Sequence, residues 1–372
     1  MISNPKLPVT KLYGLDHLRT LAIALIFLFH FGRLFPHPEW TNTISKFGWT
    51  GVDLFFVLSG YLIASQLFLR IAQDKGISVK SFFLKRFFRI IPAYLVVVTI
   101  YFCFPYVHER ESLAPLWKYL TFTQNLGLDL RTQGTFSHAW SLCIEEQFYL
   151  IFPLVLLFLV NFKLFKNAAW LLIFLFVFGI AIRYYSYQTF ILPNINSDEV
   201  WAFWYENIYY PTYCRLDGLL IGISIAALFE FRKSIKDKVK KYGNWLLLLS
   251  IVILVAAYFL CMNEQSFQAS VFGFPLVSIG YGFMVLSAIS PTSILYKLKS
   301  NTTTYIASLS YGIYLIHKFI IHITQAVFSS SYIEKESNLM FLICILTTLI
   351  SAILLNNIIE KPFLRIRDKL NL

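Results

Sequence analysis

Long apolar stretches recur along this chain of 372 residues, and they restrict its fold more than any other feature. About ten of them are long enough to cross roughly 30 Å of hydrocarbon as helices. Only 14% of the residues are charged, whereas soluble domains carry about a quarter. The sequence therefore predicts an all-α integral membrane protein, a single domain over 1–372 built as a bundle of about ten transmembrane helices. The approximate limits of these spans are 13–33, 50–69, 90–107, 141–160, 168–186, 209–229, 243–262, 269–289, 304–328 and 338–358.

The excess of positive charge follows alternate loops and does not form one basic patch. The net charge is +12, and half of the 32 Lys and Arg lie in 70–89, in 230–242 and after the last span. The N-terminus, 161–167 and 291–303 add two lysines each. Because cytoplasmic loops are rich in Lys and Arg, both termini are predicted to be cytoplasmic, and the protein is placed in the cell (inner) membrane. The lipid bilayer is then the partner that explains this charge, and no nucleic acid is needed.

Two ionisable residues, Arg19 and His30, interrupt the first apolar stretch. A helix rises about 1.5 Å per residue, so His30 is expected roughly 16 Å deeper than Arg19. An ionisable group at that depth costs several kcal/mol and therefore needs a partner or a function. Depth alone favours neither interpretation of His30, as a catalytic residue or as a structural residue bonded to a neighbouring helix.

Further polar residues are predicted at the same outer depth as His30. They are Asp53, His138, Ser141, Glu145, Glu146, Arg215, Asp217, Tyr311, Tyr314 and His317. Asp53 either caps or pairs at a helix end or belongs to a site. Glu145 and Glu146 lie about 100° apart around a helix, so at most one is expected to face a shared pocket.

Three more of these residues have structural alternatives. Arg215 and Asp217 are two positions apart and point to different helix faces, so each is expected to need a partner on another helix. His317 either joins the site or anchors its helix at the membrane interface, and the second interpretation is slightly favoured.

Two arginines on the predicted cytoplasmic side form a second candidate site. Arg86 and Arg89 lie three apart in KSFFLKRFFRIIP and would share a helix face. Arginines offer forked donors to phosphate oxygens, and Arg19 could join them at the inner end of the first span. The alternative is a topology signal only, which this basic segment supplies in any case.

Seven strings in the sequence carry a family resemblance. They are GLDHLRTLAIALIFLFH, WTGVDLFFVLSGYLI, KRFFRIIPAYL, HAWSLCIEEQFYLIFPL, CRLDGLLIG, LSYGIYLIH and IIEKPFLRIR, in that order. Together they resemble the acyltransferase-3 family of bacterial membrane acyltransferases, from about Leu15 to Arg367. The resemblance implies transfer of an acyl group, usually acetyl, from cytoplasmic acyl-CoA to a hydroxyl of an exported or cell-surface glycan such as lipopolysaccharide. Some relatives carry a fused extracytoplasmic domain, and none is expected here.

The family motifs map onto the candidate residues of this chain. An arginine and a histidine separated by ten residues match Arg19 and His30, and an arginine-rich motif matches Arg86 and Arg89. A Trp-Ser-Leu-x-x-Glu-Glu motif matches Trp140, Ser141, Leu142, Glu145 and Glu146. The chain departs from the family at His17, Thr20 and Cys143, none of which removes an ionisable group.

The expected chemistry is general-base catalysis by His30, whose ordinary pKa suits proton transfer near neutral pH. Glu145 or Glu146 would orient His30, with Asp53 as a weaker candidate, and no metal is required. Acyl-CoA would bind near Arg19, Arg86 and Arg89. Substrate-binding or supporting roles are expected for a remaining set, which comprises Trp140, Ser141, Arg215, Asp217 and His317.

Three questions stay open at the level of the sequence. Direct attack by the acceptor is preferred to an acyl-histidine intermediate, but both are compatible with His30. A transporter or flippase of a lipid-linked glycan is the main alternative function, because ionisable groups within membranes also mark substrate pathways. A non-catalytic membrane scaffold that has kept the fold is the third possible function. The acceptor, the acyl chain and the oligomeric state are not determined by the sequence.

Overall fold

The computed structural model describes residues 12–329 and 333–370. The two lysines before residue 12 that were counted toward a cytoplasmic N-terminus lie outside these residues. Within them the chain forms helices and no β-strand, which confirms the all-α prediction. The helices are α1 Tyr13–Leu34, α2 Thr41–Ser45, α3 Gly51–Ala72, α4 Val79–Cys103, α5 Leu116–Leu120, α6 Trp140–Asn161, α7 Ala168–Ser186, α8 Val200–Trp204, α9 Asp217–Phe231, α10 Lys233–Lys241, α11 Gly243–Leu260, α12 Phe274–Ala288, α13 Ile294–Lys297, α14 Asn301–Ser329, α15 Asn338–Leu355 and α16 Lys361–Lys369.

Nine helical stretches in this part of the chain are long and apolar enough to cross a membrane. They coincide with nine of the predicted spans, and the largest difference concerns the third. That span was predicted at 90–107, but α4 already begins at Val79. Ser78 caps it, since its hydroxyl oxygen accepts a hydrogen bond from the backbone N–H of Ser81. Arg86 and Arg89 therefore project from a helix that continues into the span.

The predicted span 209–229 is not a continuous helix. The helix α9 has 15 residues and begins at Asp217, so it is about 22 Å long. A π-helical segment, Tyr205–Tyr209, and a 3₁₀ turn, Thr212–Cys214, precede it. Pro211 separates the two and lacks a backbone N–H for helical hydrogen bonding. Irregular backbone is tolerated at membrane depth where it is buried in protein or lines a cavity, and this segment does both.

Glycines allow α9 to lie directly against α3, its most extensive packing partner. A Cβ on Gly60 of α3 would overlap the backbone carbonyl of Leu219, and one on Gly222 of α9 would overlap that of Val57. Small residues permit such close approach between helices in a membrane protein. The short helix α9 is thus fixed to α3 by backbone proximity.

The polar residues of the candidate sites lie mainly on five helices, α1, α3, α4, α6 and α14. The helix α1 packs against α14 and α3, and α6 contacts α3 and α4. The helices α1, α3 and α14 are also among the most buried of the spans, with more than half of their most apolar window inside the protein. The space between α1, α3, α6 and α14 holds the site described next.

Candidate active site

Two cavities follow one another along α1, α3, α6 and α14. We call the first the histidine cavity; its volume is about 310 Å³, and its lining includes His30, Trp49, Val52, Ser137, His138, Trp140, Tyr314 and Lys318. The second, the arginine cavity, is about 150 Å³, and its lining includes Arg19, Ser59, Arg86, Arg89, Ser141, Glu145, Glu146, Tyr149, Tyr311 and Tyr314. Imidazoles thus lie at one level of these helices and the guanidinium of Arg19 at the other, where α4 adds Arg86 and Arg89.

Three histidines from separate elements form a cluster beside the histidine cavity, and two of them, His30 and His138, line it. His30 Nδ1 lies 2.9 Å from His317 Nε2. The ring centroid of His138 lies 4.9 Å from that of His317 and 5.8 Å from that of His30. His317 is fully buried, so its interpretation as an interfacial anchor is wrong. His138 lies in a 3₁₀ turn at the start of α6 and was not among the residues assigned a role.

Hydrogen bonding fixes the tautomers of His30 and His317. His317 Nδ1 lies 2.9 Å from the carbonyl oxygen of Tyr314 and 3.1 Å from that of Ile313. A carbonyl oxygen only accepts, so His317 Nδ1 carries the proton and its neutral ring has an unprotonated Nε2. That nitrogen must accept from His30 Nδ1–H. His30 Nε2 then carries a lone pair, which is the requirement for a general base.

A buried ion pair supports the histidine cluster from α14. Lys318 Nζ, next to His317 in the chain, lies 2.7 Å from Glu109 Oε1. The same oxygen accepts from the backbone N–H of Phe136 at 3.1 Å. Phe136 has a φ of 53°, a left-handed conformation that is uncommon for a bulky residue. Glu109 therefore holds together the strained turn before His138 and the lysine beside His317.

Aromatic side chains and one partly exposed ion pair form much of the lining of the histidine cavity. The aromatic residues are Phe29, Trp49, Trp140, Trp201, Tyr205, Tyr209, Tyr210 and Tyr314. Arg33 Nη2 lies 2.9 Å from Glu264 Oε1 at the cavity lining. Burial raises the pKa of the Glu264 carboxyl, and its ion pair with Arg33 acts in the opposite direction. Such a surface suits a ligand with flat apolar faces and polar edges.

The arginine cavity brings together the three arginines that the sequence singled out. Arg19, Arg86 and Arg89 all contribute to its lining. Arg19 lies 3.8 Å from Asp16, whereas among the described residues no carboxylate lies within ion-pair distance of Arg86 or Arg89. The guanidinium of Arg86 lies over the Tyr149 ring, 4.8 Å from its centroid. These cations are available to an anionic ligand.

Glu145 and Glu146 both line the arginine cavity and not the histidine cavity, so the expectation that at most one of them faces a shared pocket is wrong. Glu145 Oε2 accepts from the Tyr149 hydroxyl at 2.7 Å, and this hydroxyl lies 3.2 Å from Ser59 Oγ. The prediction that one of these carboxylates orients His30 is corrected, because the hydrogen-bond partner of His30 is His317. Their depth was misjudged because they lie a turn or more further along α6 than His138.

Asp53, Arg215 and Asp217 are engaged in buried ion pairs. Arg215 Nη2 lies 2.9 and 3.0 Å from the two carboxylate oxygens of Asp53. Asp217 pairs with Arg183 of α7, at 2.6 Å from Nη1. The expectation that Arg215 and Asp217 each have a partner on another element is confirmed. The weaker proposal that Asp53 orients His30 is corrected, since its carboxylate is held by Arg215.

The aromatic environment of Arg215 includes Trp140. Its guanidinium carbon lies 4.0 Å from the ring centroid of Phe274, 4.6 Å from that of Tyr209 and 5.2 Å from that of Trp140. Trp140 thus joins the wall of the histidine cavity to the Asp53–Arg215 pair. The supporting role predicted for Trp140 is compatible with this position.

Sequence reasoning placed Tyr314 at the right depth without assigning it a role, and it missed Glu109 and Lys318. Tyr314 stands one helical turn before His317 in LSYGIYLIH, so the motif itself contained the signal. Lys318 lies within a predicted span and was equally visible in the sequence. Such intramembrane charges mark functional or paired positions. Glu109 lies in a loop, and its contact with Lys318 depends on tertiary packing. No group of three or more His, Cys, Asp or Glu suited to a metal ion occurs in residues 12–329 and 333–370.

Comparisons with known proteins identify the family. The acyltransferase-3 family model, described as an acyltransferase domain, matches residues 12–356. The protein named "Putative O-acetyltransferase SACOL0978" of Staphylococcus aureus strain COL is 30% identical over 94% of this chain and 57% of its own length. "O-acetyltransferase OatA" of Staphylococcus aureus strain NCTC 8325 is 28% identical over 94% of this chain and 56% of its own length.

The chain spans little more than half the length of these relatives. No solved structure matches it at a significant level. The family match nevertheless covers nearly all described residues, both cavities included. The chain therefore belongs to the acyltransferase-3 family of multi-pass membrane proteins.

Proposed function

We propose that this protein is a membrane O-acyltransferase that moves an acyl group, acetyl by preference, from cytoplasmic acyl-CoA to a hydroxyl of an exported or cell-surface glycan, with His30 as general base. The observation that carries the proposal is the stacking of the two cavities along the same four helices. One offers cations to a phosphate-bearing donor, and the other offers a base. In this proposal the arginine cavity opens toward the cytoplasm and the histidine cavity toward the outside, as the basic loops suggest.

The donor would bind by its phosphates. Arg86 and Arg89 have no carboxylate partner among the described residues, and Arg19 lies beside them at the same cavity. Guanidinium groups bind phosphate oxygens through paired, charge-assisted hydrogen bonds. The narrow pantetheine arm of CoA would then follow the cavity along α6 toward the histidine cluster.

Direct transfer requires His30 to accept a proton from the acceptor and then to donate it to the leaving CoA sulfur. His30 Nε2 takes the proton of the acceptor hydroxyl, and the oxygen attacks the thioester carbonyl carbon. As the tetrahedral intermediate collapses, the carbon–sulfur bond breaks and the CoA sulfur receives the proton from His30. His317 accepts a hydrogen bond from His30 Nδ1–H throughout and so stabilises the imidazolium that forms between the two steps.

The acceptor side is supported by the aromatic lining of the histidine cavity. Sugar rings present apolar faces that pack on Trp and Tyr, and hydroxyl edges that bond to polar groups. The S. aureus relatives are named O-acetyltransferases, which agrees with a hydroxyl acceptor. We further propose that the acceptor is an exported glycan and that the protein lies in the inner membrane. The family resemblance and the basic loops support these two points.

Release of free CoA thiol tests the proposal directly. Purified protein in lipid nanodiscs, given acetyl-CoA and a glycan fraction from the cell surface, should release thiol and acetylate the glycan in equal amounts. Mass spectrometry of surface glycans with and without the protein would identify the acceptor. A transporter or scaffold would release no thiol above the rate without protein, and that result would reject the enzymatic proposal.

Removal of the proposed phosphate ligands should weaken donor binding. Arg86→Ala and Arg89→Ala should each raise the Kd for acetyl-CoA by about 10–150-fold, which corresponds to the roughly 1.5–3 kcal/mol of a hydrogen bond to a charged group. Calorimetric titration with acetyl-CoA measures this directly. Lys85→Ala is the matched control, because Lys85 is on the same helix and does not line the cavity. Unchanged affinity in both arginine variants would leave these residues a topological role only.

Removal of the partner of His30 should lower turnover without weakening donor binding. His317→Ala leaves His30 Nδ1–H without its acceptor, so the ring can turn or adopt the other tautomer. We expect kcat to fall at least about 10-fold, within the upper limit of about 10⁴ for a wrong-tautomer histidine, with KM for acetyl-CoA unchanged. His317→Gln keeps an acceptor oxygen and should recover part of the activity. Equal losses in both variants, together with lower thermal stability, would indicate a structural role.

A further inference from the structure

One side chain lies at the boundary of the two cavities. Of the described residues, Tyr314 alone lines both the histidine cavity and the arginine cavity. Its hydroxyl lies 2.6 Å from Ser141 Oγ and donates to the backbone carbonyl of His138. Ser141 lines the arginine cavity, while His138 lines the histidine cavity. The hydroxyl therefore bridges α14 to α6 at the boundary between them.

We propose that the side chain of Tyr314, held by its hydrogen bond with Ser141, blocks the passage between the donor and His30 until the thioester arm displaces it. We call this side chain the wall, and it determines specificity. This inference rests on the proposed function and extends it to the choice between transfer and hydrolysis. Because the closed state prevails, the wall limits how often the thioester reaches His30 while the histidine cavity holds water and no acceptor.

The chemistry of the site gives the reason for such a wall. His30 Nε2 carries a lone pair in a cavity wide enough for water. A base of this kind would activate water as readily as a sugar hydroxyl, and the thioester would be lost to hydrolysis. The exclusion of competing water is a recognised task of closed active sites. Neutral hydrogen bonds are weak enough that an entering ligand can replace them.

Accessibility of an engineered cysteine tests the wall without relying on catalysis. In a Cys103→Ser background, which removes the exposed native thiol, Ser59→Cys reports on the arginine cavity and Val52→Cys on the histidine cavity. A small membrane-impermeant thiol reagent is added outside sealed cells. With Tyr314 present, Val52→Cys should be labelled and Ser59→Cys should not. Tyr314→Ala and Tyr314→Leu should both make Ser59→Cys reactive from outside.

Two control variants distinguish a failure of the wall from a failure of the proposed function. Lys236→Cys, in α10, should stay unlabelled from outside in every background and so verifies the orientation. Tyr305→Ala removes an exposed tyrosine from the same helix and should not open the passage. Unlabelled Val52→Cys would reject the proposed outward opening, which is a failure of the function. Ser59→Cys labelled with Tyr314 intact, or unlabelled in both Tyr314 variants, would reject the wall.

Purified variants provide a second readout. If the open state of the wall is populated at 10% or less, its removal should raise acceptor-independent thiol release from acetyl-CoA by about 10-fold or more. Tyr305→Ala should release thiol at the wild-type rate. Calorimetric titration with acetyl-CoA establishes that the Tyr314 variants are folded. Binding-competent Tyr314→Ala and Tyr314→Leu enzymes without increased thiol release would also contradict the wall.

Discussion

His30→Ala should abolish acyl transfer while expression and acetyl-CoA binding stay near normal. The removal of a general base typically costs about 10²–10⁴-fold in rate, or roughly 3–5 kcal/mol of activation free energy. Donor binding should persist, because the arginine cavity does not include His30. Thiol release and thermal unfolding, measured on the same preparation, give turnover per folded molecule.

Two further variants decide between a catalytic and a structural histidine. His30→Gln preserves much of the volume and a polar group but cannot act as the base, so it should be as inactive as His30→Ala. His322→Ala, which removes another histidine of α14 outside both cavities, should retain wild-type turnover. A well-folded His30→Ala protein with near-wild-type turnover would reject the catalytic assignment.

Asp53→Ala should be strongly destabilising. The Asp53 and Arg215 side chains are 3% and 0% exposed, and Arg215 has no second carboxylate within ion-pair distance among the described residues. Removal of one member of a buried pair leaves an uncompensated charge and typically costs about 3–5 kcal/mol of unfolding free energy. Thermal or denaturant unfolding in detergent micelles measures the loss.

A double variant shows that the cost comes from the unpaired charge. Asp53→Leu combined with Arg215→Met replaces the pair by apolar side chains and should be considerably more stable than Asp53→Ala, since such replacements are often neutral. Asp129→Ala breaks a partly exposed pair with Arg131 and should cost about 1 kcal/mol or less. If Asp53→Ala kept its stability but lost activity, Asp53 would act in catalysis after all.

The candidate residues were found in the sequence, but their grouping was predicted only in part. Arg19, Arg86 and Arg89 were grouped correctly, since their positions follow from helix rise and from the basic segment before α4. Glu145 and His30 were grouped incorrectly. The error arose because both were given a depth from the distance to the end of their own span. Those ends agree with α1 and α6 to within one residue, but the stagger of the two helices is set by tertiary packing, which places His138, seven residues before Glu145, beside His30.

Partner choice among buried charges was likewise decided by packing. The rule that side chains two apart face different ways predicted separate partners for Arg215 and Asp217, and this was confirmed. The rule could not identify the partners themselves. Asp53 approaches Arg215, and Arg183 approaches Asp217, only because α9 lies against α3 and beside α7. The glycines that allow the α3–α9 contact are visible in the sequence, but their facing residues are not.

The sequence by itself determined the all-α membrane architecture, nine of the spans, the family and the residue types of the site, because these depend on local hydropathy, spacing and short motifs. Tertiary structure decided that His317 is the partner of His30, that the carboxylates of α6 lie with the arginines, and that Tyr314 stands between the two cavities. The physical reason is that a hydrogen bond across helices depends on their rotation and register, to a precision of about an ångström, and hydropathy does not encode either.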